Sequence, residues 1–455
     1  MATVNSPQLP FDLPTQSAMR STGRLAFAHY FTPYPISLDN ADWTTDYYAR
    51  NYLTPTGESG KHAAYGGLLR DRPIGRAKLA ITDWAAQDFD TEIRQAKAAG
   101  LDGFTVDILS VSGTHYDRTL KLLQAANRVD PSFKIMIMPD MTALFDDDQT
   151  IVRSKLAALA AMPAAYRLPD GRLVLSPFKA EQFDVNWWTT WLATFKSTNG
   201  VSVAFVPCFL NWRTNMPLFA PISYGFSAWG ERHIGSAASM DTAADLAHSY
   251  GKIWMSPVAV QDSRPNQGNY YESSNTETLR ATWAAATTGN AEWVQIPTWN
   301  DYSENTAIAP SASHGWSFLD VSAYYMTKWK LGLDLPVARD GMYISHRAQP
   351  FAALPTFAQT KLMTLRANTT PARNTVEVLA FFKAPTTVTV RVGSATYTWN
   401  APAGVSAQTW PLGTGTVSAT AARSGATVST VTSAKAVTAT PYVQDLQYFA
   451  SSSLR

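Results

Sequence analysis

From residue 24 to about residue 332, short apolar runs alternate with amphipathic stretches, and this rhythm restricts the chain to very few architectures. Eight such pairs can be counted, with apolar runs at 25–30, 103–109, 134–138, 173–178, 202–207, 222–227, 253–258 and 293–297. Several are rich in Val, Ile and Phe without polar alternation, as expected of parallel strands covered on both faces. Between them Phe89, Ile93 and Ala96, and then Leu120, Leu123 and Ala126, recur at helical spacing. The stretches 186–195, 243–250, 278–287 and 321–331 extend the pattern, whereas the link after the fifth run is short and irregular. The expected fold is α/β: a (β/α)8 TIM-like barrel.

Two segments break the rhythm. Residues 31–82, rich in Pro, Gly and Tyr, are too long for an ordinary strand-to-helix loop and are expected to fold over the barrel mouth. After Leu335 helical periodicity ends, and runs such as Val388-Thr389-Val390-Arg391-Val392 alternate with period two between recurrent turn signals. That pattern predicts an antiparallel β-sandwich. The expected division is an arm over 1–23, a catalytic barrel over 24–338 and an accessory sandwich over 339–455. Trp399 and Trp410 read as sandwich core or interface in preference to a carbohydrate-binding face.

Composition excludes several function classes. The 37 basic and 35 acidic residues give a formal charge of +2, with no Lys/Arg run that would track a phosphate backbone, so no nucleic-acid partner is expected. Cys208 is the sole cysteine, lies in an apolar run and reads as an inert buried thiol. The seven His show no metal-ligand spacing, and Ala64-Tyr65-Gly66-Gly67 lacks the Lys and the strand-to-helix context of a phosphate loop. No metal and no cofactor is therefore expected. No stretch has the roughly 18 uninterrupted apolar residues of a membrane span. A monomer is expected.

Chemistry concentrates in Ile296-Pro297-Thr298-Trp299-Asn300-Asp301-Tyr302-Ser303-Glu304, where an apolar strand empties into two carboxyls among aromatic and amide side chains. One carboxyl serving as acid and one as base suits glycosidic cleavage, and flat aromatic faces suit pyranose rings. The stretch resembles the Trp-Asn-Asp-Tyr-Gly-Glu-Ser signature of glycoside hydrolase family 71, the α-1,3-glucanases or mutanases. Ser303 stands where that signature has Gly and Asn305 where it has Ser, while Trp299, Asn300, Asp301, Tyr302 and Glu304 keep their spacing. Trp84 with 90–100, Asp102-Gly103-Phe104, 133–141 and Ala401-Pro402-Ala403-Gly404-Val405 are similar to the family in order.

The resemblance implies that Asp301 and Glu304 are the two catalytic acids and that hydrolysis inverts the anomeric centre. Inversion requires carboxyls about 6.5 to 9.5 Å apart, which residues three apart reach only if their loop splays them. Glu304 is the expected acid and Asp301 the expected base, with the reverse left open. The competing structural reading has Asp301 capping a helix and Glu304 reaching back to the backbone.

Barrel chemistry gathers at the C-terminal ends of strands. His29 and Tyr30 there, with Asp107, Asp140, Trp229, Glu231 and His233, are the further candidate substrate contacts, joined by Trp299, Asn300 and Tyr302. Asp107 or Asp140 could also supply one member of the acid pair. Trp229, Trp299 and Tyr302 are the expected stacking platforms.

The expected partner is an α-glucan polysaccharide, hydrolysed internally at α-1,3 linkages. Two alternatives stay open: a different α-linked glycan on the same scaffold, and a catalytically silent glycan-binding protein. An insoluble polymer must be met outside the cell, so secretion is expected, with a leader removed ahead of this sequence and Met1 supplied in its place.

Overall fold

The computed structural model of the chain describes residues 8–455, so residues 1–7 of the expected arm lie outside the described residues. The rest of that arm is docked. Leu9 and Phe11 are buried, and Phe11 meets Tyr324 edge-on at 5.4 Å. Thr15 caps the short helix Gln16–Arg20 by accepting from the Ala18 N–H, which places Met19 in the core and Arg20 within 3.1 Å of Asp102. A few apolar residues among polar neighbours are enough to hold this segment.

The core sheet contains β1 (Leu25–Tyr30), β2 (Gly103–Ile108), β3 (Lys134–Pro139), β4 (Leu173–Leu175), β5 (Val203–Phe205), β6 (Cys208–Phe209), β7 (Gly225–Ala228) and β8 (Ile253–Pro257). Two short strands then cross its mouth, β9 (Ser263–Arg264) and β10 (Asn269–Tyr270), before β11 (Trp293–Ile296) completes it. All nine strands of the core sheet run parallel, in the order β5-β4-β3-β2-β1-β11-β8-β7-β6. The two edges, β5 and β6, are separated in the chain only by Val206 and Pro207. The Val206 N–H donates to Leu175 O on one side, and Pro207 O accepts from the Ser227 N–H on the other, each at 2.9 Å. The sheet is thus strongly curled, in the manner of a TIM-like barrel.

One helix follows each strand of the predicted series: Trp84–Ala98, Gly113–Val129, Gln149–Ala160, Val185–Asn199, Trp212–Phe219, Ala237–Ser249, Glu277–Thr288 and Ser317–Leu331. Val185–Asn199 shows the local logic. Asp184 accepts from the Trp187 N–H, Trp188, Trp191 and Phe195 face the sheet, and Gly200 ends the helix at φ 72°.

Two expectations need correction. The irregular link after the fifth run is the helix Trp212–Phe219, whose Pro217 removes a backbone donor and obscures the periodicity. The sixth strand starts at Gly225 and not at Ile222, whose N–H is tied to Phe219 O in a turn.

The remaining strands are β12 (Gly341–His346), β13 (Thr364–Leu365), β14 (Thr375–Phe382), β15 (Thr386–Val392), β16 (Ala395–Ala401), β17 (Gly404–Pro411), β18 (Val417–Arg423), β19 (Ala426–Thr432) and β20 (Phe449–Ser452). Eight of them make two antiparallel sheets, β17-β14-β12-β20 and β16-β15-β18-β19. Period-two alternation sends Val388, Val390 and Val392 into a shared apolar layer with Ile344, Val378 and Val417. Trp410 lies in that layer and Trp399 packs beside it.

The opposite face of β12 and β14 covers the last barrel helix, where Phe381 meets Tyr324 edge-on at 5.0 Å. Buried Arg347 donates to Glu272 at 2.9 Å, and the Tyr448 hydroxyl donates to the same carboxylate at 2.6 Å. Breaking one side of such a pair costs about 3 to 5 kcal/mol, so the seam is firmly fixed.

Candidate active site

A cavity of about 540 Å³ opens at the C-terminal ends of the parallel strands. His29 at the end of β1, Asp107 in β2, Asp140 after β3, Trp229 and Glu231 after β7, and Asp301 and Glu304 after β11 all line it. Residues far apart in sequence thus converge because each stands at the same end of a parallel strand.

The loop after β11 is built around Asp301. Its Oδ1 accepts from the Ser303 N–H at 2.9 Å, the Ser303 hydroxyl at 2.6 Å and the Glu304 N–H at 3.1 Å. Half of the capping arrangement is therefore present. The other half is not: no helix follows, and the Glu304 carboxylate turns toward Arg264, with Oε1 2.5 Å from Nη1. Arg264 also gives two hydrogen bonds to buried Asp262, at 2.8 and 2.6 Å. Asn305, at φ 51° in the left-handed region that Asn tolerates, donates to Ser263 O at 2.7 Å. That bond ties the acid-bearing loop to β9, the strand that carries Arg264.

Burial pushes the Asp301 carboxyl above its ordinary range, opposed by the Ser303 and Glu304 donors and by Arg264. Glu304 is also pushed upward, by burial first, with Arg264 opposing and the charges of Asp301 and Asp262 adding to the rise. The short ion pair and the upward shift pull against each other. The upward direction stands because Arg264 spends two of its hydrogen bonds on Asp262, so its charge is shared. Burial works to lower the proton affinity of Arg264 itself, but its two carboxylate partners outweigh that and the net shift is upward.

Across the cavity, burial raises Asp107 to about 6, with His29 opposing. Its Oδ2 lies 3.8 Å from His29 Nε2, and its buried Oδ1 has no hydrogen-bond partner among the described residues. His29 is oriented from behind by Thr105 Oγ1, 3.1 Å from Nδ1. Asp140 Oδ1 accepts from the Thr142 N–H and hydroxyl, so one of its oxygens organises its own loop. Half-buried Trp229 stands edge-on to His29 at 4.9 Å and to Phe178 at 4.8 Å. Glu231 pairs with His233 Nε2 at 2.9 Å, a hydrogen bond that lowers the carboxyl, while the His233 ring stacks on Tyr271.

Five predicted contacts lie outside the cavity lining: His233, held by Glu231 and Tyr271, and four more. Tyr30 is fully buried and donates to Glu92 at 2.8 Å; Trp299 is fully buried, donates to the same carboxylate at 3.3 Å and packs on Phe104. Tyr302 is fully buried against Tyr34, Tyr48 and Leu69, so neither it nor Trp299 is a stacking platform on this wall. Asn300 accepts from the Phe31 N–H at 2.7 Å and donates to Tyr34 O at 2.9 Å. Asn300 and Tyr302 clamp the 31–82 insertion to the acid loop, and it is Phe31 of that insertion that lines the cavity.

Sequence reasoning missed the basic wall. Arg232, Arg264 and Arg366 line the cavity with Tyr271. Arg366 comes from the segment after β13, lies over the Tyr271 ring at 4.7 Å and donates to Asn269 Oδ1 at 2.9 Å. The signal for Arg264 was available, since Gln261-Asp262-Ser263-Arg264 follows the seventh apolar run as the other candidates follow theirs.

The Glycosyl hydrolase family 71 model matches residues 78–451. An ascus wall endo-1,3-alpha-glucanase of Schizosaccharomyces pombe is 23% identical over 242 residues, a match that spans 50% of this chain and 55% of that protein. A mutanase of Penicillium rubens is 23% identical over 386 residues, 76% of this chain and 81% of that one. Among solved structures, a GH99 endo-alpha-mannosidase from Bacteroides thetaiotaomicron is similar with a TM-score of 0.50 at 15% identity, covering 67% of this chain and 97% of that one. That last likeness is one of fold.

Proposed function

Because the chain belongs to glycosyl hydrolase family 71, and so is a glycoside hydrolase, we propose that it cleaves α-1,3-glucan internally and with inversion, using Asp301 and Glu304 as its acid–base pair. The observation that carries this reading is that the two carboxyls three residues apart both line one cavity, with Glu304 turned away from the backbone it would otherwise cap. In the proposed reaction Glu304 protonates the departing glycosidic oxygen. Asp301 takes a proton from a water that attacks the anomeric carbon from the opposite face.

Burial favours the neutral form of each carboxyl, and their different partners separate the roles. Asp301 accepts three hydrogen bonds on one oxygen, which favours the anionic form a base requires. Glu304 has, among the described residues, one cation at ion-pair distance, and it is shared with Asp262. His29, Asp107, Asp140 and Glu231 are proposed to hold sugar hydroxyls, and Trp229 to stack on a ring.

The scaffold reading is a (β/α)8 barrel over 24–338 followed by a β-sandwich over 339–455. It draws support from β5 and β6 being two parts of one short run and from the apolar layer shared by the two antiparallel sheets. The proposed protein acts outside the cell as a monomer on an α-glucan polymer.

The test is release of reducing ends from α-1,3-glucan and from a panel of other α-glycans, with wild type, Asp301→Asn and Glu304→Gln. The anomeric form of the first product is read by NMR. Release from α-1,3-glucan that both substitutions abolish, with inverted product, is the expected result. Activity confined to another glycan would replace the substrate, and binding without release would replace the enzyme reading with a lectin-like one.

A further inference from the structure

Among the described residues, Glu304 is the one of the two proposed acids whose side chain meets a cation at ion-pair distance, and that cation is itself contested. Arg264 lies on β9, between buried Asp262 and Glu304, with short contacts to both: 2.6 Å to Asp262 Oδ2 and 2.5 Å to Glu304 Oε1. Its side chain is 12% exposed, and that of Asp262 is 0% exposed. Water therefore screens these charges poorly, and each acts strongly on its neighbours. The remaining groups facing Glu304 are Arg232 from the loop after β7, whose Nε is 3.6 Å from Asp262, Asp301 from the loop after β11 that Glu304 shares, and Tyr34 from the insertion. The Tyr34 hydroxyl is pushed up by burial and stays neutral across the working range.

We infer that Arg264 is a positioning residue: it aims the Glu304 carboxyl into the cavity and sets its proton affinity in competition with Asp262. The inference rests on the acid–base reading of Asp301 and Glu304. Its physical content is a balance. A carboxyl buried beside Asp301 and Asp262 without a cation would hold its proton too tightly to release it to a leaving group, whereas one paired with an uncontested arginine would be a permanent anion. Asp262 draws Arg264 partly away and leaves Glu304 between these limits. The Asn305 bond to Ser263 keeps the two segments in register, so the balance is fixed by the loop and not by chance encounter of two flexible side chains.

The balance gives two neighbouring substitutions opposite signs. Arg264→Gln removes the cation, so the Glu304 anion loses its support and the carboxyl rises. Asp262→Asn removes the competing anion, so Arg264 commits to Glu304 and the carboxyl falls. Arg264→Lys keeps the charge but not the forked geometry and falls between wild type and Arg264→Gln.

The experiment is kcat/KM against pH on soluble α-1,3-linked gluco-oligosaccharides for wild type, Arg264→Gln, Arg264→Lys, Asp262→Asn and Glu304→Gln, each checked for folding by thermal melt. The expected result is that one limb of the profile moves up by about 1 to 3 pH units in Arg264→Gln, less in Arg264→Lys, and down in Asp262→Asn. The limb that moves is the alkaline one if Glu304 is the acid. Limbs that stay in place, or that move in the same direction in both variants, overturn the inference while Glu304→Gln remains inactive. Should Arg264→Gln not fold, the sign of the Asp262→Asn movement decides by itself. Wild-type activity in Glu304→Gln would instead sink the acid–base reading on which the inference stands.

Discussion

The Ser303 hydroxyl donates to Asp301 Oδ1 at 2.6 Å, the shortest of the three hydrogen bonds that reach that oxygen. Such a bond stabilises the anion more than the neutral acid. Ser303→Ala removes it and leaves the two backbone donors in place, so the Asp301 carboxyl rises. As the proposed base is active when ionised, the acidic limb of kcat/KM moves to higher pH by about 1 unit, corresponding to about 1.4 kcal/mol. A pH profile in which the acidic limb stays put would separate Asp301 from the base role.

Asp107 is held near 6 by burial, above the ordinary carboxylate value of 3.8. A folded-state pKa above the unfolded one means that the contribution to stability is fully present below about 3.8 and is lost as pH rises through about 6. Above that point the ionised form costs about 3 kcal/mol. Asp107→Asn removes the ionisation, so its thermal midpoint should exceed that of wild type at pH 8 and approach it at pH 4. At the same time kcat/KM should fall by about 10- to 100-fold if Asp107 holds a sugar hydroxyl, since about 1.4 kcal/mol is tenfold. A midpoint difference that does not depend on pH would refute the buried-carboxylate account.

Tyr302 separates a packing role from a binding role. Its ring is fully buried and its hydroxyl has no partner among the described residues. Tyr302→Phe should leave activity unchanged and stability equal or higher, because an unsatisfied buried hydroxyl is removed at constant shape. Tyr302→Ala should cost about 3 to 5 kcal/mol in unfolding free energy. Chemical denaturation of both variants tests this, and a tenfold KM increase in Tyr302→Phe with unchanged stability would return the residue to the substrate.

Trp229 is the half-buried aromatic that lines the cavity beside His29. Trp229→Ala should raise KM for oligosaccharides by about tenfold, in line with an aromatic contribution of about 1.5 kcal/mol. The reading fails if KM is unchanged while kcat alone drops, which would point to loss of His29 orientation.

The parallel strands were legible in the sequence because burial on both faces leaves continuous apolar runs. The sixth slipped by three residues because Ile222 extends such a run in composition while its N–H belongs to the preceding turn. The residues brought together at the mouth were legible by a single rule, polar groups just past apolar runs, and that rule found His29, Asp107, Asp140, Trp229, Glu231, Asp301 and Glu304. It could not tell Trp299 or Tyr302 from a platform, since a loop has no period from which to read facing. Arg264, just past the seventh apolar run, lay within that rule's reach and was missed, whereas Arg366 was hidden because it lies beside a two-residue strand, too short to leave a pattern.

Arg366 enters the cavity from beyond the point where the helical pattern ends, carried there by β13 pairing with β10. The tail is thus not a cartridge that can be unplugged. A hybrid that joined this barrel to a foreign tail would keep every residue of the acid loop and lose a patch of the pocket wall, so hybrids of this chain should change what they grip before they change how they cut.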